Sequence, residues 1–195
     1  VQSEPLGNSL PPDSTLMGTH LDLFSGIGGF ALAVDRVWPG SEHIFCENDL
    51  FCQAVLRKHW SNSPIYGDIK TFTNTERERF QNATNEQIME RKGCNKFQIK
   101  QPRDIFLLSG GFPCQPFSQA GRRKGTVDDR FLWGEMFRVI CEFKPKRVIA
   151  ENVAGLLTIQ QGVVFKQVCL DLEREGYAVQ AFIIPAVAVN APHRR

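Results

Sequence analysis

The chain has 195 residues, enough for one domain with a full core and too few for two comfortable ones. Hydrophobic residues make up 42% and charged residues 23%, an ordinary balance for a soluble globular protein, and no apolar run approaches membrane-spanning length. The net charge of +2 is too small to announce a nucleic-acid binder on its own.

Residues 1–17 are polar and rich in Pro, Ser and Gly, without the charged-then-apolar order of a signal peptide, and read as a mobile tail. The chain begins at Val1 without a methionine and stops at Arg195, so it reads as a fragment. The cysteines (Cys46, Cys52, Cys94, Cys114, Cys141 and Cys169) form no C-x-x-C pair and no Cys/His cluster at zinc spacing, so no metal site is expected. Four stand in apolar, periodic surroundings and read as small core residues, which favours a reducing, intracellular location.

HLDLF (20–24) is a first strand, followed by Ser25-Gly26 and a helical pattern through Val37. HIFCEN (43–48) reads as a second strand, and the helix after it places Phe51, Cys52, Val55, Leu56 and His59 on one face. PIYGDI (64–69) is a short third strand with its exit. Residues 70–103 are polar and charged, with a helix expected around 85–92, and read as a surface insertion. DIFLLSG (104–110) is a buried strand by its continuous apolar run. An amphipathic helix over 131–143, a strand at RVIAEN (147–152), a helix over 164–175 and a last strand at YAVQAFIIP (177–185) complete the pattern. In that last helix Phe165, Val168, Cys169 and Leu172 share a face and Gly176 supplies the stop. The alternation predicts an α/β fold, a doubly wound and mostly parallel sheet with helices on both faces. Ligands of such sheets bind outside the carboxyl ends of the strands.

The unusual residues fall at those ends. Gly26, Gly28 and Ala31 fit the relaxed G-x-G-x-x-[GA] spacing, which is equally the mark of a plain tight turn. Glu47 follows at about the distance of a ribose-binding acid, and reads equally well as a surface carboxylate capping the next helix. Asp68 ends the third strand and in isolation is better read as a turn aspartate. In sequence, a glycine turn, an acid and a second acid at successive strand ends make the layout of a nucleoside-containing cofactor site. The fourth strand ends in Gly110-Gly111-Phe112-Pro113-Cys114-Gln115-Pro116, where Pro113 and Pro116 restrict the backbone around the thiol. Cys114 is thereby positioned as a nucleophile, with an inert buried cysteine as the alternative, and Glu151 at the fifth strand end is its candidate partner.

DLFSGIGGF, the isolated Glu47, GDI, GGFPCQPFS and ENVAGLL, in that order, resemble the cytosine carbon-5 DNA methyltransferases over Leu21 to Arg195. The resemblance implies a Rossmann-like methyltransferase domain that uses S-adenosylmethionine. It assigns Phe24, Ser25, Gly26, Gly28 and Gly29 to the turn around that cofactor, Glu47 to its ribose hydroxyls and Asp68 to its adenine amino group. Asn48, Ile69 and Pro113 belong to the same implied pocket. Cys114 matches the nucleophile that adds to carbon 6 of a cytosine flipped from double-stranded DNA, and Glu151 the acid that contacts ring nitrogen 3. Gln115, Ser118, Arg122, Arg123 and Lys124 are the implied DNA contacts. The family block Q-x-R-x-R is met here by A-P-H-R-R: His193 stands where Gln is frequent, and Arg195, matching the first arginine, is the expected holder of the flipped base.

The resemblance implies further that 18–195 is the amino-terminal part of a catalytic domain, with the target-recognition region absent. Such a fragment is expected to bind cofactor weakly and to methylate poorly unless a complementing carboxyl-terminal half is supplied. It places the protein inside the cell, in the cytoplasm or in the nucleoid of a bacterium or phage host, in restriction-modification or another role. The rival readings are a tRNA cytosine carbon-5 methyltransferase, a non-catalytic methyltransferase-like interaction module and a nicotinamide dehydrogenase. The last has no need of P-C-Q followed by E-N-V.

Overall fold

A computed structural model describes residues 18–73, 105–113 and 132–189. The expected tail (1–17) and most of the expected insertion lie outside them. Five strands form one sheet in the order β3-β2-β1-β4-β5, every pair parallel. They are β1 (Thr19–Leu23), β2 (Glu42–Cys46), β3 (Ile65–Tyr66), β4 (Ile105–Gly111) and β5 (Val148–Glu151). The strand order reverses between β1 and β4, so the switch point, where such sheets open a crevice, lies between them. This is the doubly wound parallel sheet that the alternation predicted.

Helices α1 (Gly29–Val37) and α2 (Leu50–His59) cover one face, and α3 (Trp133–Phe143) and α4 (Val163–Arg174) the other. Every residue of β1 is buried, which requires cover on both sides. Towards α3 and α4 the sheet presents Leu21, Leu23, Ile44 and Leu108, packed on Trp133, Met136, Val139 and Ile140. Each fully buried side chain of this size contributes about 1.5–3 kcal/mol.

Three expectations change. Helix α2 buries Gln53 and Leu56, while Phe51 is 73% exposed. The inward face is therefore rotated from the one its apolar residues outline, because Gln53 finds partners: its Nε2 donates to Glu47 O at 2.6 Å and its Oε1 accepts from Arg57 Nη2 at 2.8 Å. Second, residues 177–185 are not a strand. Tyr177 and Val179 pack on the core, but Phe182, Ile183 and Ile184 are exposed, and among the described residues no ladder partner reaches this segment. Third, the expected insertion begins with core structure. Phe72 is fully buried, 5.2 Å from the Phe143 ring and stacked on it, and Arg138 holds the carbonyls of Ile69 and Phe72 at 2.6 and 3.1 Å.

Candidate active site

The carboxyl ends of β1, β2 and β3 are level, with Leu23 beside Cys46 and Cys46 beside Tyr66. Their exit turns surround a cleft of about 330 Å³. Six residues expected around the cofactor line it: Phe24, Glu47, Asn48, Asp68, Ile69 and Pro113. Cys46, Gly67, Lys70 and Leu132 line it too and were not expected there, although Gly67 belongs to the G-D-I block.

The turn after β1 is held open by backbone conformation. Phe24 has φ 54, a left-handed state that costs a non-glycine residue about 1–3 kcal/mol and is kept only where the surroundings enforce it. Gly28 has φ 91, and a Cβ there would lie 2.5 Å from the Trp60 ring, so both conformation and space demand glycine. Ser25 does not line the cleft; its Oγ donates to Asp22 O at 2.7 Å and braces the turn from below. At Gly26 and Gly29 an added Cβ would meet nothing within 4 Å, so the turn leaves free space beside its backbone.

Glu47, at the rim of β2, is 9% exposed. Its Oε2 accepts from Gly26 N at 2.7 Å and its Oε1 from Asp49 N at 2.8 Å. Helix α2 is capped by Asp49, whose side chain accepts from Cys52 N, so the capping alternative for Glu47 does not apply. The acid instead ties the β1 turn to the β2 exit and keeps its carboxylate on the cleft. Asp68 organises the third exit, its Oδ1 accepting from Lys70 N at 2.9 Å. Apolar wall, two acids and a glycine turn with free space form a donor and acceptor set suited to a nucleoside with a ribose diol.

On the other side of the switch point, Glu151 is exposed and paired in register with Gly111. A Cβ on Gly111 would stand 2.9 Å from Glu151 Oε2, so the carboxylate lies across the backbone that leads to Pro113. Asn152, not singled out by sequence reasoning, fastens the two exits: its Nδ2 donates to Phe112 O at 2.8 Å. Its place between Glu151 and Val153 in E-N-V was the available signal.

Cys114, Gln115, Ser118, Arg122, Arg123, Lys124, His193 and Arg195 lie outside the described residues. The described cysteines offer no rival thiolate. Burial, then the charges of Glu47 and Asp68, push the Cys46 thiol up to about 12, although it borders the cleft. Burial first also raises Cys52, Cys141 and Cys169. Among the described residues, no cluster of three or more His, Cys, Asp or Glu side chains could hold a metal ion, and no helix is long and apolar enough to cross a membrane.

The family model for C-5 cytosine-specific DNA methylase matches residues 18–195. The chain is 31% identical over 176 residues to the type II methyltransferase M1.ScrFI of Lactococcus lactis subsp. cremoris, covering 90% of this chain and 39% of that protein. It is 30% identical over 186 residues to M.HhaI of Haemophilus parahaemolyticus, covering 94% and 48%. The chain thus spans less than half the length of these curated relatives. Among solved structures, a Spodoptera frugiperda DNMT2 variant superposes with a TM-score of 0.62 at 17% identity, over 91% of this chain and 47% of that one. Entamoeba histolytica EhMeth gives 0.60 at 16%, over 92% and 50%. At such identities these two speak for the fold alone.

Proposed function

The chain belongs to the C-5 cytosine-specific DNA methylase family, and from that premise we propose that it is the cofactor-binding and nucleophile-bearing part of a DNA (cytosine-5-)-methyltransferase dependent on S-adenosylmethionine. The observation that carries the reading is the layout of the strand ends. A cleft with Glu47 and Asp68 on one side of the switch point adjoins Pro113, the residue before Cys114, and Glu151 lies across Gly111 on the other side.

In this reading Phe24 and the Gly26–Gly29 turn enclose the cofactor, Glu47 accepts from its ribose hydroxyls and Asp68 from its adenine amino group. Asn48, Ile69 and Pro113 complete the pocket, and Ser25 braces its turn from below. When bound, S-adenosylmethionine supplies an activated methyl group. Cytosine is a poor nucleophile at carbon 5, so Cys114 adds its thiolate to carbon 6 and turns the ring into an enamine. Glu151 hydrogen-bonds ring nitrogen 3, which limits the charge that the addition places on the ring. Carbon 5 takes the methyl group and then loses its proton, and the thiolate leaves as the double bond re-forms. The base must be swung out of the duplex for this geometry to exist. Gln115, Ser118, Arg122, Arg123 and Lys124 are the proposed DNA contacts and Arg195 the holder of the flipped base. The kinship with type II methyltransferases favours double-stranded DNA as substrate and a restriction-modification setting inside the cell. Residues 18–195 are read as the amino-terminal part of the catalytic domain, completed by a carboxyl-terminal half that carries target recognition.

The test is covalent trapping. The chain and a Cys114→Ser variant are incubated with S-adenosylmethionine and duplexes containing 5-fluorocytosine in several sequence contexts, then run on a denaturing gel. Fluorine blocks loss of the carbon-5 substituent, so the expected result is an adduct that the variant does not form. An adduct formed equally by the variant, or none even with a relative's carboxyl-terminal half supplied, would overturn the reading.

A further inference from the structure

Beneath the glycine turn, on the α1/α2 face of the sheet, five polar side chains run in one line. Asp22 Oδ1 and Ser109 Oγ are 2.5 Å apart, Ser109 Oγ and His20 Nε2 2.8 Å, His20 Nδ1 and His43 Nδ1 3.0 Å, and His43 Nε2 and Asp35 Oδ1 2.9 Å. Asp35 Oδ2 in turn accepts from Trp60 Nε1 at 2.9 Å, and the Trp60 ring is the surface on which Gly28 rests. Asp22, His20 and Ser109 are fully buried.

The protons of this line can be counted. Asp22, Ser109, His20, His43 and Asp35 make four links. An ionised carboxylate only accepts, while a hydroxyl or a neutral imidazole brings one proton. Three inner members therefore bring three protons to four links, and with both ends ionised one link must set two acceptors face to face. One further proton closes every link, and four members can hold it: Asp22, His20, His43 or Asp35. If His43 takes it, His43 donates to both His20 and Asp35, His20 donates from Nε2 to Ser109, and Ser109 donates to Asp22. If Asp22 takes it, the first three links reverse and the fourth does not: Asp22 donates to Ser109, Ser109 to His20 Nε2, His20 Nδ1 to His43 Nδ1, and His43 Nε2 still to Asp35. A proton on His20 would make that ring donate to both neighbours, and one on Asp35 would run every donor towards Asp22.

The environment separates them, because every arrangement except the proton on Asp22 leaves that carboxylate ionised. Asp22 is fully buried and its Oδ2 has no partner, so ionised it would be a charge in the sheet interior with one hydrogen bond. The Asp35 side chain is 38% exposed and accepts from both Trp60 and His43, so it carries a charge at small cost. We propose that a single shared proton resides on Asp22 and closes this line, and that Asp22 and Ser109 are positioning residues which, through Trp60, couple the Gly28 turn to pH.

The titration directions agree. Burial, with the nearby Glu47 charge adding to it and the Ser109 hydrogen bond opposing, pushes Asp22 up to about 7. Burial and then His43 push His20 down to about 3 against the pull of Asp35, so its ring is neutral. Although burial acts in the opposite sense, the hydrogen bonds from His43 and Trp60 hold Asp35 below the usual carboxylate range. The groups facing the line are thus His43 from β2 and Glu47 just past it, Asp35 from α1, Trp60 at the end of α2 and Ser109 from β4.

Nitrogen-15 spectra of the chain, labelled at histidine, glycine and tryptophan, test this between pH 5.5 and 8.5. At pH 6 the expected result is a His20 ring protonated at Nδ1 and bare at Nε2, and a His43 ring protonated at Nε2 only. The Gly28 amide and Trp60 indole signals should titrate with a midpoint near 7. In Asp22→Asn the side-chain amide donates permanently to Ser109, so the same tautomers should persist with the Gly28 and Trp60 titration gone. A His20 ring protonated at Nε2, whatever the state of His43, or a Gly28 titration unchanged in the variant, would overturn the proposal. The wild-type tautomers decide the point even if the variant folds poorly, and the assay needs neither cofactor nor DNA.

Discussion

Towards α3 and α4 the sheet shows Leu21, Leu23, Ile44 and Leu108, all within a few per cent of complete burial. Towards α1 and α2 it shows His20, Asp22, His43 and Ser109, buried as completely but linked to one another. Apolar packing is insensitive to pH and tolerant of small displacement, whereas a line of hydrogen bonds fixes the distances between strands and charges a cost for any unpaired member. The polar line lies under the glycine turn, while the apolar face runs up to the cleft itself, where Cys46 and Ile69 of its cluster are part of the lining. The α1/α2 face has apolar packing of its own in Ala31, Phe45 and Leu56, so what sets it apart is the added polar line and not a lack of stabilising burial.

The largest expected effect falls on the apolar face. Leu108 is fully buried in the middle of that cluster, so Leu108→Ala removes buried methyl groups and leaves a cavity. A loss of about 2–5 kcal/mol, read by urea denaturation and alike at pH 5 and pH 7, is expected. A pH-dependent loss would mean that the two faces are not separable in this way.

The polar face should show itself in the pH dependence of stability. Asp22 has a folded value raised to about 7 from 3.8, so its stabilising effect is complete below the unfolded value and is lost as pH rises through 7. His20 is lowered to about 3 from 6.5, so its effect is present above 6.5 and is lost as pH falls towards 3. Between roughly pH 4 and 6.5 folding takes up one proton at Asp22 and releases one at His20, and the two slopes of about 1.4 kcal/mol per pH unit oppose each other. Wild-type stability is expected to be nearly flat there. In Asp22→Asn only the His20 slope remains, so stability should climb with pH over that interval. Urea midpoints at half-unit steps measure it; parallel curves for the two proteins would remove Asp22 from the balance.

Much of this was legible in the sequence, and the reason is local. Strands and helices announce themselves by period, and Glu47, Asp68 and Glu151 stood out because each stands at or just past the end of its strand. The polar line was not legible, because His20, His43 and Ser109 lie far apart in the chain and meet only through the strand order β2-β1-β4. Lys70 and Leu132 reach the cleft through the folding of their exits and have no pattern of their own. The segment 177–185 has strand composition, but a strand exists only with a ladder partner, which local composition cannot supply.

Helix α2 offers the smallest effect and a clean check on how that polar face is built. By apolar period Phe51 belongs inside, yet it is 73% exposed, while Gln53, by character a surface residue, is buried against Glu47 O. Phe51→Ser is therefore expected to change stability by no more than about 0.5 kcal/mol, as for surface substitutions in general. Leu56→Ala, one turn on and fully buried beside Ala31 and Phe45, should cost about 2–5 kcal/mol in the same assay. The contrast discriminates because both residues are large, apolar and on one helix. If Phe51→Ser proved as costly as Leu56→Ala, the helix would sit in the rotation its apolar residues outline, Gln53 would leave Glu47, and the acid would lose its tie to the floor of the cleft.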